Sequence, residues 1–223
     1  MAQHSISAVV LGGALILATM VPAVAATCPG ADPPKVRVVS DLPPPNIRHA
    51  LTRPRIGALG GNGHMTSDRR HAGLTQAKTH FTVRPTLAFA KLSDGTICAK
   101  VRDVEAKWEM TMLQVDVAVE YGKGSCPYTE ILRHENEHVS IAQRNFREAE
   151  QSLKRDLTAL AARVRPFAVS RNDMQRAAKE MAERFMAAAE PALEKYRRDT
   201  RRANAAIDTP ESYRAVSARC KDW

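Results

Sequence analysis

Residues 126–164 read CPYTEILRHENEHVSIAQRNFREAEQSLKRDLTALAARV. Leu132, Val139, Ala142, Phe146, Ala149, Leu153, Leu157, Leu160 and Val164 recur there at helical spacing, which predicts one long amphipathic helix. Pro127 suits its first turn, where a missing N–H costs nothing, and Pro166 stops it. Ser170 with Asp173 resembles a capping box, with Asp in the usual Glu/Gln place, and opens a second helix. The second stripe is Met174, Ala178, Met181, Phe185, Ala188, Ala192, Tyr196 and Ala203, and Pro191 is expected to kink or divide that helix. Two long helices with a short connection predict a helical hairpin.

Upstream of Gly122 the period changes to 2. FTVRPTLAFAK (81–91) and TICAKVRDV (96–104) read as strands parted by Ser93-Asp94-Gly95. Trp108, Met110 and Met112 alternate with polar residues, as do Val115, Val117, Val119 and Tyr121. The apolar parity shifts near Leu113, which indicates a bulge or two strands in one run. Residues 29–45 are proline-rich with a short strand candidate at 36–40, VRVVS, and the glycines of 55–75 mark a long loop. The expected fold is α+β: a small antiparallel sheet followed by a long C-terminal helical hairpin. The expected division is 1–25 a signal peptide, 26–79 a proline- and glycine-rich segment, and 80–223 the folded domain.

The signal-peptide reading rests on SISAVVLGGALILATMVPAVA (5–25), which carries no charge and ends in Ala23-Val24-Ala25, a small-x-small cleavage pattern. Its dense apolar run, Ala8 to Met20, has the length of a signal h-region and is short for a membrane span. Thr27 before Cys28 departs from the small residue that a lipoprotein signal requires. Cleavage leaves no stable membrane span and a periplasmic or secreted chain, in which Cys28, Cys98, Cys126 and Cys220 are free to form disulfides. No C-x-x-C pair points to a zinc ribbon or redox site. Three pairings are open; the hairpin brings Cys126 toward the far end of the second helix, which favours Cys126–Cys220 with Cys28–Cys98.

With 223 residues, 44% apolar and 26% charged, the chain is neither disordered nor fibrous. Its net charge of +9 would suit an acidic substrate or an anionic envelope surface. Only 5% of residues are aromatic, and with export this argues against a nucleic-acid partner.

His134-Glu-Asn-Glu-His138 is an H-E-x-x-H. At i and i+4 on a helix, two histidines face one way and can reach one zinc ion, while Glu135 is placed to hold a water and act as general base. Glu135 also falls inside the apolar stripe, where a carboxylate is costly unless paired or set beside a metal. Catalytic zinc takes a third protein ligand. Arg144 excludes the elongated H-E-x-x-H-x-x-G-x-x-H form, and Thr158 excludes a glutamate at that spacing. With the hairpin turn centred near residue 168, position 138 lies opposite about 198. That nominates Asp199, an acid on its own helix's apolar stripe, over Glu190 and Glu194. His64, His71 and His80 are rivals, and a salt bridge is the alternative role for Asp199.

The uncharged leader, the small β region, LRHENEHVSIAQ opening a long helix, and Tyr196-Arg-Arg-Asp-Thr200 on a second helix resemble the predicted secreted zinc-dependent proteases, an uncharacterised bacterial family. The likeness covers roughly residues 80–220. In that family's pattern an Asp follows the Tyr and a His-Gly follows the Thr; here Arg197 and Arg201-Arg202 stand there instead. The resemblance implies a zincin-like peptidase acting on a peptide or protein substrate through a metal-activated water, with His134 and His138 as ligands and Glu135 as base. Asp199 rests on the hairpin arithmetic alone. Val115–Tyr121 could then pair with extended substrate, and Tyr196 or Tyr213 could donate to a carbonyl. The competing expectation is a non-enzymatic envelope protein whose helical hairpin binds a partner or is structural.

Overall fold

The computed structural model describes residues 28–30, 32–60 and 72–223. The expected signal peptide, His64, His71 and most of the glycine-rich loop lie outside them. The chain order is β1 (Lys35–Asp41), β2 (Asn46–Arg48), α1 (Arg53–Gly60), β3 (Gly73–Lys91), β4 (Ile97–Val117), α2 (Cys126–Arg163), β5 (Phe167–Val169), α3 (Met174–Ile207) and α4 (Pro210–Ser217), with a 3-10 turn at Arg171–Asp173 before α3.

The sheet overturns the expected small antiparallel one. It has five strands and is mixed: β1 and β2 run parallel to β4, whereas β3 and β5 run antiparallel to it. Alternation along a strand tells which face each side chain takes but carries no direction, so the parallel pairs were not legible in it. β1 and β2 are one interrupted strand. Lys35 faces Asp103 and Asn46 faces Gln114, the same offset of 68 (103 − 35 and 114 − 46). The interruption holds Pro43, Pro44 and Pro45, which have no N–H to give to a ladder. β3 also begins at Gly73, ahead of the boundary expected at residue 80.

β3 and β4 form a hairpin of 19- and 21-residue strands, turned at Leu92–Thr96, where Gly95 takes φ +89°. Two bulges set its shape. Lys78 pairs with Met112 and Thr79 with Met110, leaving Thr111 over; Thr86 pairs with Asp103 and Leu87 with Val101, leaving Arg102 over. Each extra residue flips the buried parity, from Ala99 and Val101 to Val104, Ala106, Trp108 and Met110, then to Leu113, Val115 and Val117. The parity shift in the sequence is therefore a bulge within one strand.

α2 and α3 pack on the sheet around Trp108, which stacks on Phe146 at 4.9 Å, meets the Tyr196 ring edge-on at 5.2 Å, and donates from Nε1 to the Phe146 carbonyl. Phe146, Leu153, Leu157 and Phe185 are fully buried, each worth about 1.5–3 kcal/mol of apolar transfer. Ser125 caps α2 by accepting from the Tyr128 N–H, and Pro127 sits in its first turn. Disulfides join Cys28 to Cys98 and Cys126 to Cys220. No helix among the described residues is long and apolar enough to cross a membrane.

Candidate metal centre

His134, Glu135 and His138 lie near the N-terminal end of α2, all buried. The facing register of α3 follows from four contacts: Glu148 with Lys195, Asn145 with Thr200, His138 with Asn204, and His134 with Asp208. Position 138 therefore meets 204, six residues beyond the 198 expected of a turn at 168. The connection does not fold straight back. It pairs as β5 with Ile97–Ala99 of β4 and re-enters through the 3-10 turn, so α3 starts out of step with α2.

With that displacement it is Asp208, not Asp199, that stands beside the two histidines. Asp199 points away from the histidines: its carboxylate accepts from Lys195 at 2.5 Å and lies 3.7 Å from Arg198. Lys195 holds it below the ordinary carboxylate range. Asp208 caps the C-terminus of α3, its N–H bonded to the Asn204 carbonyl. Its Oδ1 lies 3.2 Å from His134 Nε2 and 3.1 Å from His138 Nε2, and it accepts from the Tyr213 hydroxyl at 2.8 Å. Among the described residues, His134, His138 and Asp208 are the group whose ligand atoms converge for a metal, all within 4.8 Å of one another.

The donor set suits zinc. Ligand bonds of 2.0–2.1 Å at tetrahedral angles put neighbouring donor atoms roughly 3.3 Å apart, close to the two histidine-to-carboxylate separations. His138 Nδ1 lies 3.1 Å from Asn204 Oδ1, which fixes the ring and leaves Nε2, beside Asp208, as the nitrogen that could reach a metal. Burial lowers the pKa of His138, but hydrogen bonds to Asp208 and Asn204 and the charge of Glu135 outweigh it and raise it to about 9. Burial likewise pushes Asp208 up, and the hydrogen bonds from His134, His138 and Tyr213 bring it far below the usual range.

Glu135 sits beside this cluster, against β3. Thr75 Oγ1 donates to Glu135 Oε2 at 2.8 Å, and a Cβ on Gly73 would fall 2.5 Å from Glu135 Oε1, so only glycine allows so close an approach. Burial pushes the Glu135 carboxyl above its ordinary range, offset in part by His138, Thr75 and His134. A narrow pocket opens from Glu135 and His134 toward Tyr213 and Trp223.

The other expected residues stand elsewhere. His80 is exposed on β3, and Glu190 and Glu194 both bind Arg197. Tyr196 packs on Trp108 and bonds Thr79, whereas Tyr213 reaches the site. Val115 lies between Ile47 and Thr75, so this segment is interior and offers no edge to a substrate; the strand with an edge beside α2 is β3. Sequence reasoning missed Asp208, although Asp208-Thr209-Pro210 carries a signal: Thr209 caps α4 and Pro210 opens it, marking Asp208 as a helix end. No family model, curated protein or solved structure matches this chain.

Proposed function

We propose that the chain is an exported zinc-dependent hydrolase, most readily a peptidase, with His134, His138 and Asp208 as the metal ligands and Glu135 as general base. One observation carries this reading: three donor atoms of the right kinds converge within 4.8 Å of one another, the two histidine-to-carboxylate separations being near those of zinc ligands, and a buried carboxylate stands next to them, oriented by Thr75. Two disulfides suit an oxidising compartment outside the cytosol. Zinc held at this site would supply a Lewis acid for the substrate carbonyl and lower the pKa of water toward 7. Glu135, kept in a dry environment that raises its proton affinity, takes a proton from the attacking water and passes it to the departing amine nitrogen as the C–N bond breaks. Thr75 fixes the carboxylate on the sheet side. Asn204 holds the His138 ring, and Tyr213 holds Asp208. β3 offers a backbone edge along which an extended peptide can lie.

A second reading has its own support. Asp208 Oδ1 already meets two imidazoles and a phenol, a network that can brace α4 against α2 as a structural element without any metal. Zinc per protein, measured by mass spectrometry on the untagged chain, separates the two. The hydrolase reading expects a stoichiometry near one, lost in His134→Ala and His138→Ala, with Glu135→Ala keeping the metal and losing peptide hydrolysis. Negligible zinc, unchanged by either histidine substitution, would leave the structural brace.

A further inference from the structure

A groove runs from His138 between the edge of β3, at Thr75–Thr79, and α3, at Tyr196–Asn204. Its walls carry three cations, Lys78, Arg197 and Arg201, and no acidic residue. Arg197 is engaged with Glu190 and Glu194. Lys78 and Arg201 make no ion pair with another described residue, and both are exposed. β3 is hydrogen-bonded to β4 along one side, and no described strand pairs with its other side.

We propose that this groove binds the substrate as an extended peptide along β3 and selects an acidic side chain with Lys78 and Arg201, an inference that rests on the hydrolase reading. The strand edge gives sequence-independent backbone hydrogen bonds, and side chains on alternate positions of the peptide face the groove. Thr75 touches Glu135, which marks the reacting end. Lys78 lies three residues further along the strand, about 10 Å away at the rise of a β-strand. Its parity is opposite to that of Thr75 and Thr79, which meet Glu135 and Tyr196, so its ammonium reaches the groove over the open edge of β3. The acidic side chain therefore belongs two to four positions from the cleaved bond, on the His138 side. A carboxylate there gains charge-assisted hydrogen bonds from a guanidinium and an ammonium that no internal ion pair holds, with Glu194 an acidic side chain that feels the Arg201 charge.

The test is cleavage of a proteome-derived peptide library by the zinc-loaded chain, with products identified by mass spectrometry. Asp and Glu should be enriched two to four positions from the cut. The double variant Lys78→Glu with Arg201→Glu should turn that enrichment into one for Lys and Arg, whereas Arg202→Glu, outside the groove, should leave it unaltered. Cleavage with no acidic enrichment, or enrichment that survives the double variant, overturns the groove proposal while the hydrolase reading stands. If no peptide is cut, the hydrolase reading fails by itself, and the groove is decided by fluorescence anisotropy on Glu135→Gln with a labelled glutamate-containing peptide. A Kd that rises about tenfold in Arg201→Glu and weakens with salt supports it; equal binding of the glutamine counterpart overturns it.

Discussion

At the scale of single residues, two aspartates nine positions apart on the same chain (208 − 199) have opposite surroundings. Asp199 sits among Lys195, Arg198 and Arg202, and neutralising it removes only solvent-screened ion pairs, which contribute little. Asp208 is half-buried and receives His134, His138 and Tyr213 on one oxygen. Asp208→Asn keeps the shape but loses the charge that makes the site attractive to a dication. Zinc affinity measured by competition with a chromophoric chelator should fall at least 10- to 100-fold in Asp208→Asn and stay within about twofold of the parent in Asp199→Asn. Equal losses in the two variants would contradict the assignment of Asp208. His134, Glu135 and His138 were readable from the sequence because i and i+4 fix their direction on any helix. Asp208 was not, because its place depends on how far α3 slides along α2, and no local pattern encodes that slide.

At the scale of elements, the long apolar stripes and the alternating runs were legible because each is a local periodicity that burial enforces. What those patterns lacked was strand direction and helix register. Both are set by long-range pairings: β1 against the middle of β4, β2 against its end, and β5 against its beginning. Of the two outcomes expected at Pro191, a kink or a division of the helix, division does not occur. α3 continues through the proline from Met174 to Ile207, because packing of Phe185, Ala189, Ala192, Leu193 and Tyr196 on the core outweighs one lost helical hydrogen bond. Pro191 is exposed, so its ring contributes no burial in return. Pro191→Ala restores the N–H bond toward the Ala187 carbonyl and should stabilise the fold by about 1–3 kcal/mol, after allowing for the greater entropy of the unfolded chain. Chemical denaturation reads this as a higher midpoint with an unchanged slope. A lower midpoint would mean that α3 depends on the proline for its packing angle.

At the scale of the whole molecule, the two disulfides close loops of similar length, with sequence separations of 70 and 94. Constraint of the unfolded chain gives each a contribution of about 4–5 kcal/mol, so stability alone should hardly tell them apart. Their positions relative to the site differ. Cys28–Cys98 ties the N-terminal segment to the start of β4, at the far end of the sheet from Glu135, since Thr75 pairs with Val115 at the other end of that strand. Cys126–Cys220 ties the first residue of α2 to the chain just after α4, and α4 carries Tyr213, which holds Asp208. Arg219 adds a second tie, to Glu130 on α2. Losing the second disulfide frees α4 to move away from the histidines and take the Asp208 contact with it. Cys126→Ser with Cys220→Ser should therefore lower both the melting temperature and the zinc affinity, whereas Cys28→Ser with Cys98→Ser should lower the melting temperature by a similar amount and leave zinc affinity unaltered. Calorimetry on the apo and zinc-loaded forms separates the contributions, because bound metal adds about 2.7 kcal/mol at a hundredfold excess over Kd and that increment should shrink only in the Cys126/Cys220 pair. Equal increments in both double variants would mean that α4 keeps its place without the disulfide, through Thr209, Pro210 and the Arg219–Glu130 pair.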